Sequence, residues 1–191
     1  MNLLVLAQYA DGALTLETRA TIAAAQLPGV EVYLLLAGEA VSEIAFQAAQ
    51  VCGITKIWLA QHPAYKHSLP ASLAALIVRI VTQEALAYSH ILCASTAASQ
   101  RVIAHVCAML NVDQPLEVSA AESVPIFLAR PTLQLLLLAP GKIQPVAATG
   151  GATPVQWVPR GCGISTDDLT GNRKTRTMQK TAQTGRGSSR H

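Results

Sequence analysis

His90-Ile-Leu-Cys-Ala-Ser-Thr-Ala-Ala-Ser-Gln100 is the stretch that decides the fold. Its first half, His90–Ala94, is a continuous apolar run without the alternation of a strand that has one wet face, which marks a strand covered on both faces in a parallel sheet. Its second half is small and hydroxyl-rich and opens into a segment where Val102, Val106, Met109 and Leu110 fall at helical spacing. A strand followed directly by a helix is the repeating unit of an α/β domain. Ser95, Thr96 and Ser99 in the connecting loop are the candidate phosphate-binding residues, because such a turn aims backbone N–H groups at an anion. The same residue types are ordinary helix N-caps, and capping is the plainer reading.

Working outward, three more apolar runs precede this one, at Leu3–Ala7, Val30–Ala37 and Ile54–Ala60. Helical spacing fills the intervals. Thr15 to Leu27 ends at Pro28-Gly29, and Val41 to Val51 ends at Gly53. In the third interval Ser68 is placed to cap a helix, Pro70 sits in its first turn, and Leu73, Leu76, Ile77, Ile80 and Val81 form its apolar stripe. Four strand-then-helix units joined by right-handed crossovers predict a doubly wound α/β fold, a mostly parallel sheet with helices on both faces. After Asn111 come short extended pieces, Leu116–Ala121, Ile126–Ala129, Leu133–Leu138 and Lys142–Ala148, expected to add edge strands or a hairpin.

Charge separates the chain into two parts. Residues 1–159 hold seven Lys/Arg against nine Asp/Glu, whereas residues 160–191 hold seven against two. Beyond Pro159 the apolar periodicity stops and Thr, Arg, Lys, Gln, Gly and Ser dominate, a composition that cannot offset the entropy of ordering. The expected division is an α/β domain over residues 1–150 and a basic tail over 151–191, disordered beyond Pro159. The tail has no aromatic residue after Trp157, so no specific nucleic-acid partner is expected.

The longest aliphatic stretch, around Leu135–Ala139, is far short of the roughly 18 residues a bilayer span requires, and the N-terminus lacks the basic flank of a secretory leader. Cys52, Cys93, Cys107 and Cys162 form no C-x-x-C pair or zinc spacing and read as structural thiols of a reducing compartment. No metal site is expected. His62 and His67 bracket Tyr65 without a Ser, Cys or carboxylate at signature spacing and read as a solvated loop pair; His90 and His105 read as boundary residues. No catalytic residue is expected. Neither G-x-G-x-x-G nor the P-loop motif occurs, and Gly150-Gly151 leads into Pro154, which reads as a turn.

Several strings resemble one family in order. Ala23-Ala-Ala-Gln-Leu-Pro-Gly-Val-Glu-Val-Tyr-Leu-Leu-Leu-Ala-Gly38, Ala48-Ala-Gln-Val-Cys-Gly-Ile-Thr-Lys-Ile-Trp-Leu-Ala60, Ala64-Tyr-Lys-His67, Tyr88-Ser-His-Ile-Leu92, Met109-Leu-Asn-Val-Asp113 and Phe127-Leu-Ala-Arg130-Pro131 are similar to the N-terminal domain of electron-transfer flavoprotein α subunits. The resemblance covers roughly residues 1–131 and implies an adenine-nucleotide α-hydrolase-like fold. It also implies an electron carrier, not an enzyme, which as a heterodimer with a β subunit carries electrons from flavin dehydrogenases, such as the acyl-CoA dehydrogenases of fatty acid β-oxidation, to a quinone reductase. FAD is the family's cofactor.

Two loops depart from the family pattern. Cys93-Ala-Ser-Thr-Ala-Ala-Ser-Gln100 stands where the family has "A-P-A-T-T-x-G-K", and Thr132-Leu-Gln-Leu-Leu-Leu137 replaces "I-Y-A-G-N-A". No counterpart of the family's "S-G-G-R-G" flavin-domain loop is found, so the chain reads as diverted or truncated at the domain boundary and not expected to hold FAD tightly alone. Arg130 and Pro131 are the expected contact to the β subunit, with Leu135–Leu138 adding apolar area. The expected location is the cytoplasm, or the mitochondrial matrix in a eukaryote, though no transit peptide is seen. The alternative is a stand-alone nucleotide-binding or regulatory α/β module, since fold alone does not set function.

Overall fold

The computed structural model of the chain describes residues 1–65, 69–83, 87–118, 133–139 and 143–158. In chain order the elements are β1 (Asn2–Leu6), β2 (Tyr9–Ala10), β3 (Ala13–Leu14), α1 (Leu16–Ala25), β4 (Glu31–Gly38), α2 (Ser42–Ala48), β5 (Lys56–Gln61), α3 (Pro70–Gln83), β6 (Tyr88–Ala94), α4 (Ala97–Leu110), β7 (Leu116–Val118), β8 (Gln134–Leu138) and β9 (Val155–Trp157). Seven strands form one sheet in the order β7-β8-β6-β1-β4-β5-β9, and each of their pairings is parallel.

Successive side chains on a strand face opposite ways, and each face has its own core. Leu3, Val5, Leu34 and Leu36 pack with Ile22 and Ala25 of α1 and with Ile44 and Ala48 of α2. Leu4, Leu6, Leu35 and Ile91 pack on the other side with Leu76, Ile77 and Ile80 of α3 and with Ile103 and Val106 of α4. Helices therefore cover both faces of a parallel sheet, and the fold is the doubly wound α/β class expected from the continuous apolar runs.

The helix ends follow from local chemistry. The Thr15 side chain accepts from the Thr18 N–H and starts α1, while Gly29 at φ +76° turns the chain after Pro28. Helix α2 is shorter than the expected Val41–Val51, because after Ala48 the bonds from Gln50 N to Gln47 O and from Val51 N to Ala48 O tighten the chain into turns. On α3 the expected stripe is buried at Leu73, Leu76, Ile77 and Ile80, and Ser68 lies outside the described residues. On α4 the buried face runs through Val102, Ile103, Val106 and Cys107, leaving Met109 at its margin and 53% exposed.

The second half of the sheet meets the expectation at β7, an edge strand, and departs from it at β8. Strand β8 is not an edge or half of a hairpin: it lies between β6 and β7 and is parallel to both. Leu135–Leu138, expected to offer apolar area to a partner, are all buried within it, because a strand with neighbours on both sides and cover on both faces has no free apolar surface. Ile126–Ala129 lie outside the described residues. The described part of Lys142–Ala148 forms no strand, and there Val146 N donates to Arg19 O at 3.4 Å.

Strand β9 pairs Val155 with Ile57 and Trp157 with Leu59. The sheet thus continues past residue 150, where the domain was expected to end. A three-residue strand with all its side chains exposed carries no burial pattern, so composition hides it.

Candidate functional site

From β1 the chain builds outward through β4 and β5, then crosses back to place β6 on the other side of β1. The strand order reverses between β1 and β6, and in open α/β sheets the crevice beyond the strand carboxyl ends at such a point is the ligand position. A pocket of about 410 Å³ lies there. Ala7, Gln8 and Tyr9 line it from beyond β1, Thr15 from the start of α1, Ala37 from β4, Leu73 from α3, and Thr96, Ala98, Ser99 and Val102 from the head of α4.

Gln8 joins the two sides. Its backbone N–H donates to Thr18 Oγ1 at 2.9 Å, Thr18 Oγ1 donates back to its carbonyl at 3.0 Å, and Thr15 N donates to the same carbonyl at 3.0 Å. With its backbone held by the first turn of α1, the side-chain Nε2 reaches across and donates to Thr96 Oγ1 at 2.7 Å. Thr96 and Ser99 form a reciprocal capping box at the start of α4.

A hydroxyl has one proton and two lone pairs. Thr96 Oγ1 accepts from Gln8 Nε2 and from Ser99 N at 3.3 Å, and its proton is available to Ser99 Oγ 3.0 Å away. Ser99 Oγ also accepts from Thr96 N and donates to the Ala94 carbonyl. Both hydroxyls are therefore fully used in holding the loop. Ser95 Oγ donates to Glu117 Oε1 at 3.1 Å and accepts from Gln100 Nε2 at 3.2 Å. The structure brings the three candidate hydroxyls together and gives each a structural bond.

The β2–β3 hairpin forms the outer wall. Asp11 at φ +50° and Gly12 at φ +76° make its two-residue turn, the Asp-Gly signal of a tight hairpin that the strand-and-helix reading passed over. Tyr9, carried by this hairpin, donates its hydroxyl to the Ala37 carbonyl at 3.1 Å, and burial raises its pKa above the usual tyrosine value. Gly38 is required beneath it, since a β-carbon there would collide with the Tyr9 hydroxyl and Val41 Cγ1. Gln8, Tyr9 and Thr15 were not singled out from sequence. The signal was Asp11-Gly12 immediately after a strand.

The remaining candidates lie elsewhere. His62 is exposed, with Nδ1 accepting from Ala64 N at 3.1 Å, and His67 is outside the described residues. His90 is fully buried in β6 and not at a boundary, while His105 is exposed on α4. Cys93 is buried, and desolvation pushes its thiol up to about 12, with the neighbouring Ser99 hydroxyl opposing that rise. Cys107 is also buried and Cys52 half-buried in the turn after α2. Arg130, Pro131 and Cys162 are outside the described residues. Among the described residues no group of three His, Cys, Asp or Glu is placed to hold a metal ion, and no helix is long and apolar enough to cross a membrane.

Fold and crevice define a doubly wound α/β domain with an open pocket at its switch point. The family model of the electron transfer flavoprotein domain matches residues 3–133, and the chain belongs to that family. It is similar to the electron transfer flavoprotein subunit alpha of Pseudomonas aeruginosa, 36% identical over 118 residues, 62% of this chain and 37% of that protein. The Paracoccus denitrificans subunit alpha is 33% identical over 120 residues, 63% of this chain and 38% of that protein. The mitochondrial subunit alpha of Dictyostelium discoideum is 28% identical over 128 residues, 65% and 36% of the two chains. The chain spans a little over a third of the length of these relatives.

The family associates with flavin, and the crevice can be tested for it. A dinucleotide's pyrophosphate needs free N–H donors or cations. Among the described lining residues none is charged, and the Thr96 and Ser99 hydroxyls are committed to the cap. First-turn N–H groups of α4, that of the lining residue Ala98 among them, are the donors that remain, and no cation among the described lining residues offsets a pyrophosphate's charge.

Proposed function

We propose that this chain acts as the N-terminal α-type domain of an electron transfer flavoprotein. In this reading it docks on a β subunit, and the assembly carries electrons from flavin dehydrogenases, acyl-CoA dehydrogenases among them, to a quinone reductase. The match over residues 3–133, shared with relatives named as α subunits, carries the reading. The redox chemistry belongs to the flavin and the protein supplies binding and orientation. The described domain contributes a rigid scaffold and does not hold FAD by itself, Arg130 and Pro131 contribute to the subunit contact, and the location is the cytoplasm or the mitochondrial matrix.

Co-expression with a β subunit tests this. A stable complex is expected, and the chain purified alone should lack flavin absorption. A folded chain that never co-purifies with β would reject the docking role, and stoichiometric FAD on the chain alone would reject the scaffold role. The switch-point crevice favours one second reading, a stand-alone nucleotide-binding or regulatory module. Saturable adenine-nucleotide binding without β association would select it.

A further inference from the structure

We propose that a second pocket, on the α1/α2 side of the sheet, binds a small organic monocarboxylate through Arg19. The pocket encloses about 280 Å³ and shares no lining residue with the switch-point crevice. Leu14, Ala48 and Val51 give it apolar walls, Gln50 and Thr149 stand at its polar side, and Arg19 is the one charged side chain among its described lining residues.

Arg19 is under-used where it stands. Among the described residues its buried Nε has no hydrogen-bond partner, and Nη1 reaches only the Val146 carbonyl, at 3.5 Å. Buried donors are nearly always paired, and a guanidinium presents its N–H groups as a planar fork matched to a carboxylate. The segment beside it is fastened at several points. Val146 N donates to Arg19 O, Cys52 Sγ lies 3.8 Å from Thr149 O, and Gly151 N donates to Gln50 O at 2.6 Å. The wall is thus part of the fold.

The ligand class follows from charge and shape. One cation balances one negative charge, and apolar walls accept a short aliphatic body; a phosphate dianion would bring a charge that no other described lining residue offsets. The inference is independent of the electron-transfer reading, because no flavin and no β subunit enters it.

The test is amide and arginine Nε–H chemical-shift titration of the full chain with sodium butyrate, with sodium phosphate and sodium chloride at equal ionic strength as comparisons. Butyrate should give saturable shifts at Arg19 Nε–H, Leu14, Val51 and Thr149. Arg19→Gln should weaken the binding by about tenfold or more, since only the fork supplies charge and paired donors. Ala148→Glu, at an exposed position lining the pocket, supplies a carboxylate from the chain itself and should abolish the butyrate shifts. Non-saturating butyrate shifts, equal binding by the Arg19→Gln protein, or stronger binding of phosphate at the same residues would overturn the proposal. If Arg19→Gln fails to fold, the Ala148→Glu titration decides.

Discussion

The Thr96 hydroxyl connects two parts of the molecule, the Gln8 side chain beyond β1 and the first turn of α4, where it meets both the N–H and the hydroxyl of Ser99. Removing it leaves the Ser99 N–H and the Gln8 amide without their partner. Thr96→Ala should lower unfolding free energy by roughly 1–2 kcal/mol, and Thr96→Ser should recover most of it. Urea denaturation of the two variants checks this; equal midpoints for Thr96→Ala and the parent would remove the hydroxyl from the account. Cys93 makes a second residue-scale prediction. Its folded pKa of about 12 lies above the ordinary 9.0, so below pH 9 both states keep the proton and the contribution to stability is complete. As pH rises from 9 towards 12 only the unfolded chain ionises, and stability falls. Mass-mapped alkylation at about pH 8 should modify half-buried Cys52 while sparing Cys93 until denaturant is added, because the thiolate is the reactive form.

At the scale of elements, the hairpin Tyr9–Leu14 depends on its two left-handed turn residues. Gly12 at φ +76° has open space around it, so a side chain there meets backbone strain and no clash. Gly12→Val should therefore destabilise by about 1–2 kcal/mol, the usual penalty of left-handed backbone for a residue with a β-carbon. The loss should be local, with faster amide exchange at Tyr9 and Leu14 and the core of α3 unchanged. Exchange accelerated uniformly across the sheet would show instead that the hairpin is coupled to global unfolding.

For the whole molecule, β9 carries the sheet beyond residue 150 by pairing with β5. Ile57 N donates to Pro154 O at 3.0 Å, Thr153 Oγ1 donates to Ile54 O at 3.0 Å, and Thr153 N donates to Ala49 O at 2.9 Å. A chain stopped at residue 150 loses all three and leaves β5 as a bare edge. It should unfold at lower urea and aggregate more readily than a chain stopped at residue 158, because an unpaired edge templates association. Identical midpoints and equal solubility would mean that β9 is ornamental to the core.

Sequence alone determined the class of the fold and the order of its four strand-then-helix units, because runs such as Leu3–Ala7 and His90–Ala94 are apolar for a reason that is local and periodic. It also placed Ser95, Thr96 and Ser99 at a helix start, since capping chemistry is written in adjacent residues. The tertiary structure decided what adjacency cannot encode. Whether Leu135–Leu138 face a partner or the interior depends on which strands flank them, and the same four residues suit either place. The Gln8–Thr96 bond joins positions 88 residues apart, the pocket beside Arg19 takes part of its wall from Ala148 and Thr149, and β9 is a strand only because β5 offers it a free edge. Such features are long-range geometry, set by how the crossovers lay the helices on the sheet and carried by no local pattern of residues.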